Sequence, residues 1–86
     1  MSIHNLTSVD QFERETKNKP CVIHFWAEWA DQCSQMDEIL EALVELHGEK
    51  LFFGRCPAED VPEIAAKFSI AAVPTVVLIK NDKEVN

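Results

Sequence analysis

Basic residues are scarce in this sequence. The chain of 86 residues has 8 lysines and arginines against 15 aspartates and glutamates, which gives a formal net charge of -7. A negative field of this size repels phosphate backbones and anionic lipid surfaces. We therefore expect neither nucleic acid nor a membrane surface among the partners.

Long apolar runs and paired cysteines are also missing. No stretch approaches the roughly 20 apolar residues that cross a bilayer, and the first ten residues lack the basic and apolar segments of a secretory signal. Cys21, Cys33 and Cys56 are odd in number and form no CxxC pair, so neither a disulfide framework nor a zinc site is indicated. We expect reduced thiols, no metal in this domain, and a cytoplasmic and nuclear location.

Glycine and proline are too few for a collagen-like chain or a linker. The sequence contains 2 glycines and 4 prolines, whereas 47% of its residues are hydrophobic. This apolar content is enough for one small core but not for two. We expect a single domain over residues 1–86.

The first half of the chain contains the clearest periodic patterns. Ser8, followed three residues later by Gln11, is typical of a helix N-terminus. Cys21–Trp26 is apolar on both alternating faces and predicts a central parallel strand. From Cys33 to His47 apolar residues recur at steps of three and four, which predicts a long helix whose acidic residues form a solvated face.

The second half contains shorter elements. Asp60 stands where it would cap a helix that begins at Pro62 and ends at Phe68. Strands are predicted at Ile3–Leu6, Leu51–Cys56, Thr75–Ile79 and, after a turn at Asn81 and Asp82, at Lys83–Asn86. This alternation indicates a mostly parallel sheet with helices on both faces. Ligands bind such sheets at the carboxyl ends of strands, so the candidate site is the junction from Ala27 to Cys33.

Two segments carry a resemblance to a known family. Residues 25–33 read FWAEWADQC, and a Val73-Pro74-Thr75 segment follows about forty residues after Cys33. Over nearly its whole length the chain resembles thioredoxin, which has a WAxWCxxC site and a cis-proline opposite it. The WAxWAxQC form, together with VPE and AAVPT, is similar to the N-terminal thioredoxin domain of PICOT-type, multidomain monothiol glutaredoxins. The resemblance implies a thioredoxin-like α/β fold with a central mixed sheet and helices on both faces.

The departures from thioredoxin concern its catalytic residues. Ala30 stands at the position of the family's attacking cysteine, and Cys33 at that of the resolving cysteine. The buried acid of the family is replaced by His24, which we expect to be a neutral core histidine, and Arg55 occupies the usual basic position beside it. Since two-cysteine exchange needs both thiols, that cycle cannot run here.

Cys33 is the candidate redox thiol, and three interpretations of it stay open. It is a small apolar residue packed in the first turn of a helix, a monothiol that forms mixed disulfides, or a ligand of a metal or iron-sulfur cluster whose other ligands come from elsewhere.

The candidate binding surface follows from the same resemblance. We expect Trp26 to be packed, and Trp29, Ala30, Val73 and Pro74 to form one patch for protein partners. The Val73 backbone would pair with an extended peptide by strand addition.

The function that the resemblance implies is a domain without dithiol activity, which serves interaction and targeting in a monothiol glutaredoxin of redox and iron-sulfur homeostasis. An iron-sulfur cluster and glutathione would belong to separate glutaredoxin domains with a CGFS motif, and this domain would hold no cofactor. The alternative is a monothiol oxidoreductase that uses Cys33 on glutathionylated or disulfide substrates.

The thioredoxin resemblance also implies a further strand and a terminal helix after Asn86. We therefore expect the domain to be incomplete at its C-terminus, and the uncovered sheet to favour self-association.

Overall fold

The structure is a computed structural model that describes residues 3–17, 20–30, 32–48 and 50–80, and the backbone of residues 83–84. Its strands are β1 (His4–Asn5), β2 (Cys21–Trp26), β3 (Phe52–Pro57), β4 (Thr75–Lys80) and β5 (Lys83–Glu84). Its helices are α1 (Val9–Glu15), α2 (Gln32–His47) and α3 (Pro62–Lys67). The predicted turn at Asn81 and Asp82, and the last two residues, lie outside the described residues.

The sheet is mixed. Its strands lie in the order β1-β3-β2-β4-β5, with β1, β3 and β2 mutually parallel and β4 antiparallel to both β2 and β5. The thioredoxin-like class and the mixed sheet that the resemblance implies are confirmed, whereas the mostly parallel sheet that the alternation of elements indicates is wrong beyond β2. Helix α3 has six residues and is about 9 Å long, whereas β4 runs about 20 Å. Because α3 is too short to carry the chain back along the sheet, β4 begins at the edge where β3 ends.

The two faces of the sheet pack different helices. Alternate residues of β2, among them Ile23 and Phe25, face a core that includes Phe12 of α1 and Ile64 of α3. The intervening residues face α2, whose Leu40 and Val44 pack with Phe53 and Val22. Helices cover both faces of β2, which explains why the strand is apolar on both of them.

One helix begins as predicted and the other does not. The Ser8 hydroxyl accepts a hydrogen bond from the Gln11 N–H at 3.2 Å, which confirms the cap of α1. In α3 the N-cap residue is Val61 rather than Asp60, and no side chain caps the helix. The reason is that Asp60 belongs to the preceding turn, where its N–H donates to the Pro57 carbonyl at 3.0 Å. Helix α3 also ends one residue before Phe68.

Part of the α2 side of the sheet is exposed. Val76 and Leu78 lie opposite His24 and Val22 in the β2–β4 register, so they point to the α2 side, and they are 39% and 41% exposed. Ile39, Leu43 and Leu46 of α2 are exposed as well. The expected self-association stays a prediction. Among the described residues, no helix is long and apolar enough to span a membrane.

Candidate functional site

Ala30 and Cys33, which stand at the two cysteine positions of the thioredoxin motif, are both buried in the junction between β2 and α2. The Ala30 N–H donates to the Ala27 carbonyl at 3.2 Å, and the Cys33 N–H donates to the Ala30 carbonyl at 3.1 Å. These successive turns lead directly into the first turn of α2. Ala30 is 6% exposed and Cys33 is 4% exposed. Ala30 thus offers little side-chain surface, and the expected patch that includes it stays a prediction.

The two tryptophans of the junction have different surroundings. Trp29 is 70% exposed, and its indole N–H donates a hydrogen bond to the Glu59 carboxylate of the loop after β3. Trp26 is half-buried, and the Arg55 guanidinium lies 4.4 Å from the centre of its ring. The expected difference between a packed Trp26 and a surface Trp29 therefore holds.

A groove of about 510 Å³ lies beside Trp29. It is lined by the end of β2 and the junction on one side and by the loop after β3 on the other, and its residues are Trp26, Ala27, Glu28, Trp29, Pro57, Glu59 and Asp60. We call it the tryptophan groove. Its acidic side chains are exposed, and none of the described residues that line it is basic.

The Val73–Pro74 segment lies at the same edge of the sheet as the junction. Thr75 is paired with Phe25 in the β2–β4 register, which places Pro74 near the end of β2. The Val73–Pro74 peptide bond is cis, and both residues are half-buried. Neither lines the tryptophan groove. The structure thus brings this segment and Trp29 to one end of the sheet but gives only Trp29 to the groove.

A charged cluster lies under this end of the sheet. Asp37 accepts a hydrogen bond from His24 through Oδ1 at 3.0 Å and pairs with Arg55 through Oδ2 at 2.9 Å. His24 is fully buried, while the side chains of Asp37 and Arg55 are each 26% exposed. Three buried nitrogen atoms have no hydrogen-bond partner among the residues that the structure describes: the imidazole Nε2 of His24, the indole Nε1 of Trp26 and the guanidinium Nε of Arg55.

Sequence reasoning missed the role of Asp37. The sequence pattern places it on the solvated face of the long helix with the neighbouring glutamates. A signal was nevertheless present, since Asp37 lies four residues after Cys33 and three before Leu40, on the stripe that faces the sheet. An acid on that stripe needs a partner, and the predicted core histidine is the one it meets.

Burial governs the protonation of this region. It lowers the pKa of His24 below its usual value, and the opposing effects of the hydrogen bond and charge of Asp37 are smaller. His24 is therefore neutral near pH 7 and serves as the buried histidine that the sequence predicts. Burial raises the pKa of the Cys56 thiol to about 12, so this cysteine is not a thiolate at physiological pH.

The cysteines offer neither a disulfide nor a metal centre within the part of the chain that is described. Cys21, Cys33 and Cys56 are all buried, and none is joined to another. No group of three histidine, cysteine or acidic side chains in this part of the chain is placed to hold a metal ion.

Comparison with known proteins defines the family. The family model for thioredoxin matches residues 3–86. The chain belongs to the thioredoxin family. Its fold matches that of the Malassezia sympodialis thioredoxin with a TM-score of 0.90, at 30% identity over 100% of this chain and 79% of that one.

Several curated relatives are glutaredoxins by name, and the yeast one is named as a monothiol glutaredoxin. The chain is 41% identical over 86 residues to monothiol glutaredoxin-4 of Saccharomyces cerevisiae, and 35% identical over 88 residues to glutaredoxin-3 of Homo sapiens. The alignments cover 94% and 99% of this chain, but only 35% and 26% of the relatives. This thioredoxin-family chain therefore corresponds to a minor part of those proteins.

Proposed function

We propose that this chain is an interaction and targeting domain, without dithiol activity, of a monothiol glutaredoxin that acts in redox and iron-sulfur homeostasis. The observation that carries the proposal is Ala30. It stands in the turn that enters α2, where a thioredoxin has its attacking thiol, and it has no group that can form a mixed disulfide.

The chemistry of disulfide exchange explains why this one residue is decisive. In the two-cysteine reaction a thiolate attacks the substrate disulfide and releases one substrate thiol. A second thiol then attacks the mixed disulfide, releases the other substrate thiol and leaves the enzyme oxidised. Because Ala30 has no thiol, the first attack cannot take place. Cys33 is 4% exposed, and no second thiol in the described part of the chain is placed beside it to complete the reaction.

Surface features at the same end of the sheet support a binding role. Trp29 exposes a large aromatic side chain that its hydrogen bond to Glu59 holds in place. Aromatic side chains held in this way are frequent anchors of protein interfaces. The Val73–Pro74 segment beside the end of β2 is a second candidate contact, through its backbone, for an extended peptide.

The names of the relatives support the wider role. In this proposal the iron-sulfur and glutathione chemistry belongs to other domains, and the low coverage of the yeast and human glutaredoxins, 35% and 26%, leaves room for such domains. A cytoplasmic and nuclear location is part of this proposal. The domain's contribution would be to bring a protein partner to that chemistry.

The second candidate function is a monothiol oxidoreductase that uses Cys33. The position of Cys33 in the first turn of the 16-residue helix α2 favours it, because reactive cysteines are often found at helix N-termini. Its 4% exposure opposes it, because a substrate disulfide must reach the sulfur.

Reductase-coupled reduction of insulin tests the proposal. We expect no turnover above the uncatalysed rate for the natural sequence and measurable turnover for Ala30→Cys, which restores both thiols of the motif. Ala30→Ser is the matched control, because it adds a polar group of similar size that cannot form a disulfide. Turnover by the natural chain at the rate of an ordinary thioredoxin would refute the proposed function.

A further inference from the structure

The tryptophan groove is both acidic and aromatic. Glu28, Glu59 and Asp60 contribute three carboxylates, and Trp26 and Trp29 contribute two indoles. The lining includes no cationic side chain among the residues that the structure describes. Its volume of about 510 Å³ is within the range of about 300–1,000 Å³ usual for ligand sites. This composition would attract a cation and repel an anion.

The two indoles differ in their availability. One side of Trp26 is occupied by the Arg55 guanidinium, whose charge is balanced by Asp37 at 2.9 Å. Among the described residues no cation lies over the ring of Trp29. The indole N–H of Trp29 also holds the Glu59 carboxylate beside the ring. An incoming cation can therefore meet an open aromatic face and a carboxylate together.

The arrangement distinguishes between kinds of cation. A metal ion needs several ligands that converge on one point, and no group of three acidic, histidine or cysteine side chains does so in the described part of the chain. An arginine side chain suits it better, because the planar guanidinium stacks on indoles while its fork of N–H groups binds a carboxylate.

We propose that the tryptophan groove binds an arginine-containing basic segment of a partner protein, with a guanidinium stacked on Trp29 and hydrogen-bonded to Glu59. Glu28 and Asp60 attract the flanking positive charges, and the net charge of -7 steers such a segment toward the domain. This inference rests on the proposed role as an interaction domain and adds the chemistry of the partner that the domain takes.

A defined peptide tests it. A twelve-residue peptide that alternates arginine and serine is titrated into the domain by calorimetry at low and physiological salt, beside the same peptide with lysine in place of arginine. We expect the arginine peptide to bind more tightly. Trp29→Leu should weaken its binding about tenfold, and Trp29→Phe, which keeps an aromatic face, should weaken it less.

Charge-matched variants separate the groove from general attraction. The triple variant Glu28→Gln, Glu59→Gln, Asp60→Asn removes three negative charges from the groove. The control Glu38→Gln, Glu41→Gln, Glu45→Gln removes three from the exposed residues of α2. We expect a loss of about tenfold or more for the groove variant and less than about twofold for the control. Circular dichroism establishes that each variant is folded.

Three results would overturn the inference: equal losses in both triple variants, equal affinity for the arginine and lysine peptides, or unchanged binding by Trp29→Leu. Each of these results is compatible with the absence of insulin reduction by the natural chain. That turnover would refute the proposed function and would say nothing about the peptide, so the two failures are distinguishable.

Discussion

Loss of the Asp37 carboxylate should destabilise the fold far more than its place on the surface helix α2 suggests. One oxygen accepts from His24 at 3.0 Å, and the other pairs with Arg55 at 2.9 Å. In Asp37→Ala the Arg55 guanidinium stays against Trp26, and its buried Nε already has no partner in the described part of the chain. The buried imidazole of His24 also loses the only hydrogen bond that it makes with a described residue.

The expected loss lies between two known limits. Breaking a fully buried ion pair costs about 3–5 kcal/mol, and breaking an exposed pair costs about 0–1 kcal/mol. Because Asp37 and Arg55 are each 26% exposed, water can partly solvate the remaining cation. We expect a loss of about 2 kcal/mol, which is a large part of the roughly 5 kcal/mol available to a small domain.

Urea unfolding followed by tryptophan fluorescence measures this loss. With a slope of about 1 kcal/mol per molar urea, the midpoint should fall by about 2 M. Glu38→Ala is the matched control, because it removes a carboxylate from the next, exposed residue of the same helix and should change the stability by less than about 0.5 kcal/mol. In a double-mutant cycle with Arg55→Met, the coupling energy should exceed about 1 kcal/mol. Equal midpoints for the Asp37 and Glu38 variants, or a coupling energy near zero, would refute this reasoning.

Two further predictions concern the core. Because burial lowers the pKa of His24, the unfolded chain binds a proton below about pH 6.5 that the folded chain does not. The free energy of unfolding should therefore be highest above that pH and should fall as the pH decreases. The fall is at most about 1.4 kcal/mol per pH unit, and it ends once the pH is below the pKa of His24 in the folded domain. In urea titrations at several pH values, His24→Leu should lose this slope and the exposed His47→Gln should keep it. Gly54→Ala should cost about 2 kcal/mol, because the new methyl group would lie 2.7 Å from Cδ1 of the fully buried Leu6. Combined with Leu6→Ala, the same change should cost clearly less, and an equal cost in both backgrounds would contradict the overlap.

The elements with strong periodicity were predictable from sequence. The pattern from Cys33 to His47 predicts the last residue of α2 correctly and misses its first residue, Gln32, by one position. The apolar run of β2 indicates a strand covered on both faces, which is what its position between two helix layers requires. The pattern of apolar and polar residues within each segment is enough to predict both properties.

Features that join distant residues were not predictable in this way. The direction of β4 depends on the length of α3 relative to the sheet. The pairing of Asp37 with Arg55, and of Trp29 with Glu59, depends on which side chains the folded chain brings together across many positions. The resemblance to thioredoxin predicts that Trp29 lies at the surface. The acidic residues that line the groove beside it, Glu59 and Asp60, are identified only by the folded structure.

The reactivity of the three thiols tests the central claim most directly, which is that this domain acts through its surface rather than through its cysteines. The folded domain is treated with iodoacetamide at neutral pH, and the alkylation of Cys21, Cys33 and Cys56 is followed by mass spectrometry, with the guanidinium-unfolded chain as reference. Because all three are buried and the pKa of Cys56 is raised to about 12, we predict that each is alkylated at least about a hundredfold more slowly in the folded domain. Alkylation of Cys33 in the folded domain as fast as in the unfolded chain, while Cys21 and Cys56 stay protected, would contradict the account and establish a reactive monothiol.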